Sequence, residues 1–175
     1  LRKQVEMLLE KTSGNTTNNT TNNNNMNIEK QNIICVNSFG NENIEHITDQ
    51  IMCQLIYSAP FKCVPQLIEK IHFDPEHPEN HNIKITNKKM NYAKIIQDNK
   101  WVTANKKNVI DHVIQKSYSL LDETFTDNKE SMPDRFQDRF ENFQDKFDNE
   151  DETLHRNIKA EVDLILINGT EQVHK

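Results

Sequence analysis

The chain has 175 residues, enough for one ordinary domain with appendages and short for two. Hydrophobic residues make up 34% and charged residues 27%, the formal net charge is −6 and the mean hydropathy is −0.85, so a modest core must carry solvated segments. No stretch approaches the roughly 20 apolar residues of a bilayer-crossing helix, and no secretory leader opens the chain. Cys35, Cys53 and Cys63 are too few and too widely spaced for a disulfide framework, so a reducing compartment is expected. The 24 Asn and 18 Ile against 3 Gly and 4 Ala read partly as A/T-rich coding. Because the first residue is Leu1 rather than Met, a piece of a longer protein is expected.

In chain order, Leu1, Val5 and Leu8 are spaced as d, a and d positions of a heptad. Residues 1–11 therefore read as the end of a coiled-coil helix, or as a short amphipathic arm. Residues 12–31, rich in Asn and Thr, cannot bury enough surface to offset ordering entropy and read as a disordered linker. Such a tract is either a passive tether or a self-association element. An α+β domain is expected over 32–126. Ile33, Ile34, Cys35 and Val36 form an apolar run of strand type, ended by Ser38-Phe39-Gly40. Ile44, Ile47, Ile51, Leu55 and Ile56 recur at helical spacing with Thr48-Asp49 as the cap. Pro60 breaks that helix, and Pro65 suits the first turn of another carrying Leu67, Ile68 and Ile71. Asp74-Pro75 and His77-Pro78 then force a loop.

After the loop the period changes to two. Asn82 to Thr86, Tyr92 to Gln97 and Lys100 to Ala104 predict a small antiparallel meander, with Asp98-Asn99 as its tight turn. From Lys106, Val109, Ile110, Val113, Ile114, Leu120 and Leu121 mark a long amphipathic helix that can cover the sheet. Residues 127–175 read as an acidic helical hairpin: Phe136, Phe140, Phe143 and Phe147 form a heptad-like stripe, for core packing or for an interface between chains. Leu154, Ile158, Val162 and Ile165 continue the pattern to an expected C-cap at Asn168-Gly169.

The segments Asn37 to Asn43 (NSFGNEN), Val64 to Ile68 (VPQLI) and His72 to Lys89 (HFDPEHPENHNIKITNKK), followed by Lys94, Trp101 and Lys107 to Asp111, resemble the C-terminal domain of uncharacterised giant-virus proteins of mimivirus-like viruses. The resemblance covers Ile33 to Leu121, roughly half the chain. It implies an upstream C2H2-type zinc finger and coiled coil joined through an Asn-rich linker, other viral proteins as partners, and a place in the host cytoplasm, at the viral factory, or in the virion. It implies no activity.

Four kinds of chemistry are open to the residues. A zinc site could draw on His72, His77, His81 and Cys63, although only His77 and His81 have the spacing of a ligand pair. Alternatively Asp74, Pro75, Pro78, Asn80 and Asn82 build a rigid turn and the histidines are hydrogen-bonding posts. An HNH-like nuclease, suggested by His72 and Pro78 to Ile83, conflicts with the strand alternation of Ile83 and Ile85. With no Gly-rich phosphate loop or nucleophile elbow, a non-enzymatic protein without a cofactor is expected. Nucleic acid could bind the basic stretch 84–107, where Lys84, Lys88, Lys89, Lys94, Lys100, Lys106 and Lys107 oppose Asp98 alone and Tyr92 and Trp101 could stack on bases. The same lysines could equally guard a sheet edge. Finally, from Asp122 to Glu152 there are 12 acidic against 4 basic residues, which with the basic stretch describes either a neutralised monomer or a homo-oligomeric scaffold joined through coiled coil and tail.

Overall fold

The computed structural model describes residues 34–174; the heptad-like segment 1–11 and the linker 12–31 lie outside them. Among the described residues the first helix is α1 (Asp49–Ser58), which Thr48 opens by accepting the Ile51 N–H on its hydroxyl. Ala59, with φ −157, takes the chain out of the helix ahead of a one-turn 3-10 segment, Pro60–Lys62. Helix α2 (Cys63–His72) tolerates Pro65 because a first-turn N–H has no intrahelical acceptor. Its buried Val64, Leu67, Ile68 and Ile71 form one apolar stripe.

The sheet has order β1-β2-β3, all antiparallel, with strands β1 (Ile83–Lys84), β2 (Tyr92–Gln97) and β3 (Lys100–Asn105). Asp98 and Asn99 have φ of 50 and 60, as the two-residue turn between right-twisted strands requires. Ile83 pairs with Ile95 and Ile95 with Val102, so these side chains share one face, from which Ile83, Ala93, Ile95 and Ala104 pack on the core. The opposite face carries Lys84, Tyr92, Lys94, Trp101 and Thr103. Strand β1 is shorter than the expected Asn82 to Thr86, because the Ile85 N–H leaves the ladder for the Thr170 hydroxyl at 2.9 Å. Ile34 to Val36 are not a strand either. They run extended beside the sheet, Ile34 is 52% exposed, and only Asn37 and Phe39 anchor the segment, donating to the Glu79 and Ile96 carbonyls.

Helix α3 (Lys106–Asn128) follows β3 directly, capped by Asn105, and buries Val109, Ile110, Val113, Ile114 and Leu121. After a further 3-10 turn, Lys129–Ser131, come α4 (Asp134–Asp148) and α5 (Glu152–Val173). The fold of the described residues is α+β, with five helices around a three-stranded meander. The boundary expected at 126/127 falls inside its core: Phe140, Phe143, Phe147, Leu154, Val162 and Leu166 belong to the same buried cluster as Ile68, Ile83 and Leu121. Nor does the last helix stop at Asn168-Gly169. It continues to Val173, and a Cβ on Gly169 would lie 2.4 Å from the Phe73 ring, so this glycine admits a neighbouring ring instead of turning the chain.

Candidate functional site

Two of the segments singled out in the sequence, Asn37 to Asn43 and Pro78 to Asn82, close on one another through buried amides. Asn80 is fully buried; its Oδ1 accepts from Asn37 Nδ2 at 3.0 Å and from the Asn43 N–H at 2.9 Å, and its Nδ2 donates to the Asn43 carbonyl at 2.6 Å. Asn82, equally buried, donates through Nδ2 to Glu42 Oε1 at 2.9 Å and to the Asn37 carbonyl at 3.2 Å. Its Oδ1 is left facing His72 Nδ1 at 3.0 Å, which makes Nδ1 the protonated ring nitrogen. Glu42 Oε1 also accepts the Gly40 N–H at 2.8 Å, while Lys116 Nζ, 2.6 Å from Oε2, donates to the Gly40 carbonyl at 2.7 Å as well. The loop that presents Asn80 and Asn82 is braced locally. Asp74 Oδ1 accepts the Glu76 N–H, His81 donates to the Asp74 carbonyl, Pro75 extends the chain, and Pro78 starts the 3-10 turn Pro78–Asn80.

Burial alone would raise the Glu42 carboxyl, but His72, Lys116 and the Asn82 amide outweigh it and hold Glu42 at about 2. Burial pushes His72 below the ordinary imidazole range, against the opposing pull of Glu42 and Asn82. Near neutral pH the network therefore contains an ionised Glu42 and a neutral His72. Its polar groups are turned on one another, an arrangement that locks two chain segments together.

The expected zinc ligands are not gathered. His72 is committed to Asn82, and His81 to the Asp74 carbonyl. The Cys63 thiol is fully buried, donates to the Pro60 carbonyl at 2.8 Å and is pushed by burial up to about 12. His77 alone meets other ligand types: His46 and Asp74, neither of which belongs to the expected set.

The basic residues are divided. Lys84, Tyr92, Lys94 and Trp101 share the outer sheet face, with Lys84 directly opposite Lys94. Lys100 lies on the other face beside the turn, and Lys88 and Lys89 are exposed in the loop before β2, where Lys88 pairs with Glu171 at 3.1 Å. Trp101 is half-buried: Lys84 Nζ sits 4.0 Å above its ring and His174 meets it edge-on at 5.3 Å. Its stacking surface is thus already partly covered.

Sequence reasoning missed Glu42, Lys116 and His46. Asn37 and Glu42 stood in a recognised motif, but pairing across 37 residues, as between Asn43 and Asn80, leaves no local spacing to read. Comparison with known protein families, with curated proteins and with solved structures finds no match to the chain.

Proposed function

We propose that this is a non-enzymatic interaction module of a giant-virus protein, acting as a homo-oligomeric scaffold for other viral proteins in the host cytoplasm or the virion. The observation that carries this reading is the separation of its two charged regions. The basic sheet packs on α3 and α5, whereas α4, at the centre of the acidic region, packs on α1, α5 and the Pro60–Lys62 turn. Among the described residues, Lys88–Glu171 and Lys106–Asp163 tie the basic stretch to α5 and Lys129–Glu141 spans the acidic region, but no ion pair joins the sheet to α4. Opposite fields that do not meet within one molecule are suited to pairing between molecules. The tail's phenylalanines are used internally: Phe140 and Phe143 are fully buried, so charge rather than this stripe is the means of tail contact. Light scattering on the full chain tests the proposal. Concentration-dependent oligomers should shrink as salt rises and weaken on joint Lys89→Glu and Lys94→Glu substitution; a monomer at every concentration in low salt refutes it.

A second reading, single-stranded nucleic acid on the outer sheet face, is favoured by the Lys84–Lys94 register. Like charges opposite one another across strands are destabilising unless an anion lies near both. Anisotropy of a labelled oligonucleotide that reports binding at about 0.1 M salt, weakened by Lys88/Lys89→Glu, would favour it over the scaffold.

A further inference from the structure

The loop before α1 and the loop after α2 meet at three side chains that the amide network does not use. His46 and His77 stack with ring centroids 3.6 Å apart and 16° between planes. A ring nitrogen of each and a carboxylate oxygen of Asp74 lie within 4.8 Å of one another, and all three residues are half-buried. In a tetrahedral zinc site, donors about 2.1 Å from the ion are about 3.4 Å apart, so the trio lies near ligand spacing, and the two rings must turn out of their stack for their in-plane lone pairs to meet at one ion.

A second feature sets this trio apart from a chance cluster. The His77 Nδ1–H donates to Glu79 Oε1 at 3.0 Å, which fixes the tautomer and leaves the lone pair on Nε2. A carboxylate behind an imidazole is the usual partner of a metal-bound histidine, because it orients the ring and raises its basicity. His46 is held similarly, its Nε2 3.4 Å from the Lys70 carbonyl at the end of α2.

We propose that His46, Asp74 and His77 bind one divalent ion of the zinc type, with Glu79 as the positioning residue and water completing the coordination. Two imidazoles and one carboxylate suit zinc-like ions and not the all-oxygen preference of calcium or magnesium. The ion would cross-link the loop before α1 to the loop after α2, next to the joint that Asn80 and Asn82 make, so its role here is to stiffen the module that the scaffold reading requires. The proposal stands apart from that reading, since metal can bind whether or not the chain assembles.

The test is titration of the metal-stripped full chain with zinc alone, and with cobalt as a spectroscopic probe. One equivalent should bind, with a cobalt spectrum lacking a thiolate charge-transfer band. Binding should vanish in His46→Ala and His77→Ala and persist in His81→Ala. Circular dichroism checks that each variant folds. Glu79→Gln, which removes no ligand, should weaken zinc about 10- to 100-fold and keeps the test decisive if an alanine variant unfolds. Absence of stoichiometric binding, binding that survives both alanine variants, or a thiolate band would overturn the site.

Discussion

Asn80 commits both ends of its amide to the segment it holds, so its chemistry can be changed without changing its size. Asn80→Asp replaces the Nδ2 donor with an oxygen facing the Asn43 carbonyl. Urea unfolding should show a loss of about 3 kcal/mol, the cost of repulsion plus a buried acceptor left unmet; an unchanged midpoint would mean that the clamp contributes nothing. The same network predicts acid sensitivity. The unfolded chain protonates an ordinary histidine below about pH 6.5, whereas buried His72 resists, so stability should begin to fall there. Glu42 is held at about 2, so its contribution is complete above the ordinary carboxylate range and lost as pH falls from there towards 2. Unfolding midpoints measured across this range should decline in two stages, and His72→Gln should shrink the upper one, to which His174, also lowered by burial, contributes. At this scale the sequence showed that the run HPENHN was special. It could not show which atoms Asn80 and Asn82 would reach, because, His72 apart, their side-chain partners lie 37 to 45 residues away.

At the scale of single elements, local chemistry was legible wherever one residue dictates backbone geometry. Thr48 caps α1, Pro60 ends it, and Asp98-Asn99 make the turn. Legibility failed where a local preference met a tertiary demand. Ile34 to Val36 have the composition of a strand but join no ladder of the sheet. Gly169 has the composition of a C-cap, yet α5 runs through it because Phe73 needs the space. Gly169→Ala therefore sets intrinsic helix preference, which favours alanine by about 1 kcal/mol, against a clash with a buried ring. We expect the clash to win and thermal denaturation to show a net loss of about 1–3 kcal/mol. A more stable variant would mean that Phe73 can move aside.

At the scale of the whole molecule, the tail is structural. Removing residues 127–175 would strip α4 and α5 from the core, including Phe140, Phe143, Phe147, Ile158, Val162 and Leu166. Each such side chain contributes about 1.5–3 kcal/mol by burial, and together they approach or exceed the 5–15 kcal/mol by which domains are ordinarily stable. A fragment ending at Thr126 should show no cooperative melting transition, whereas one spanning 34–174 should unfold in a single step. A cooperative transition in the shorter fragment would restore the boundary suggested by the change in composition.

Periodicity, prolines and turn residues determined which stretches are helical, where the meander turns, and that an ordered α+β part follows an Asn-rich tract, because those signals act over a few residues. Tertiary structure alone decided that the acidic tail completes the core, that Trp101 is flanked by Lys84 and His174, and that His77 meets His46 instead of His72 or Cys63. These outcomes depend on packing and hydrogen bonding between segments far apart in the chain, and no spacing within one segment encodes them.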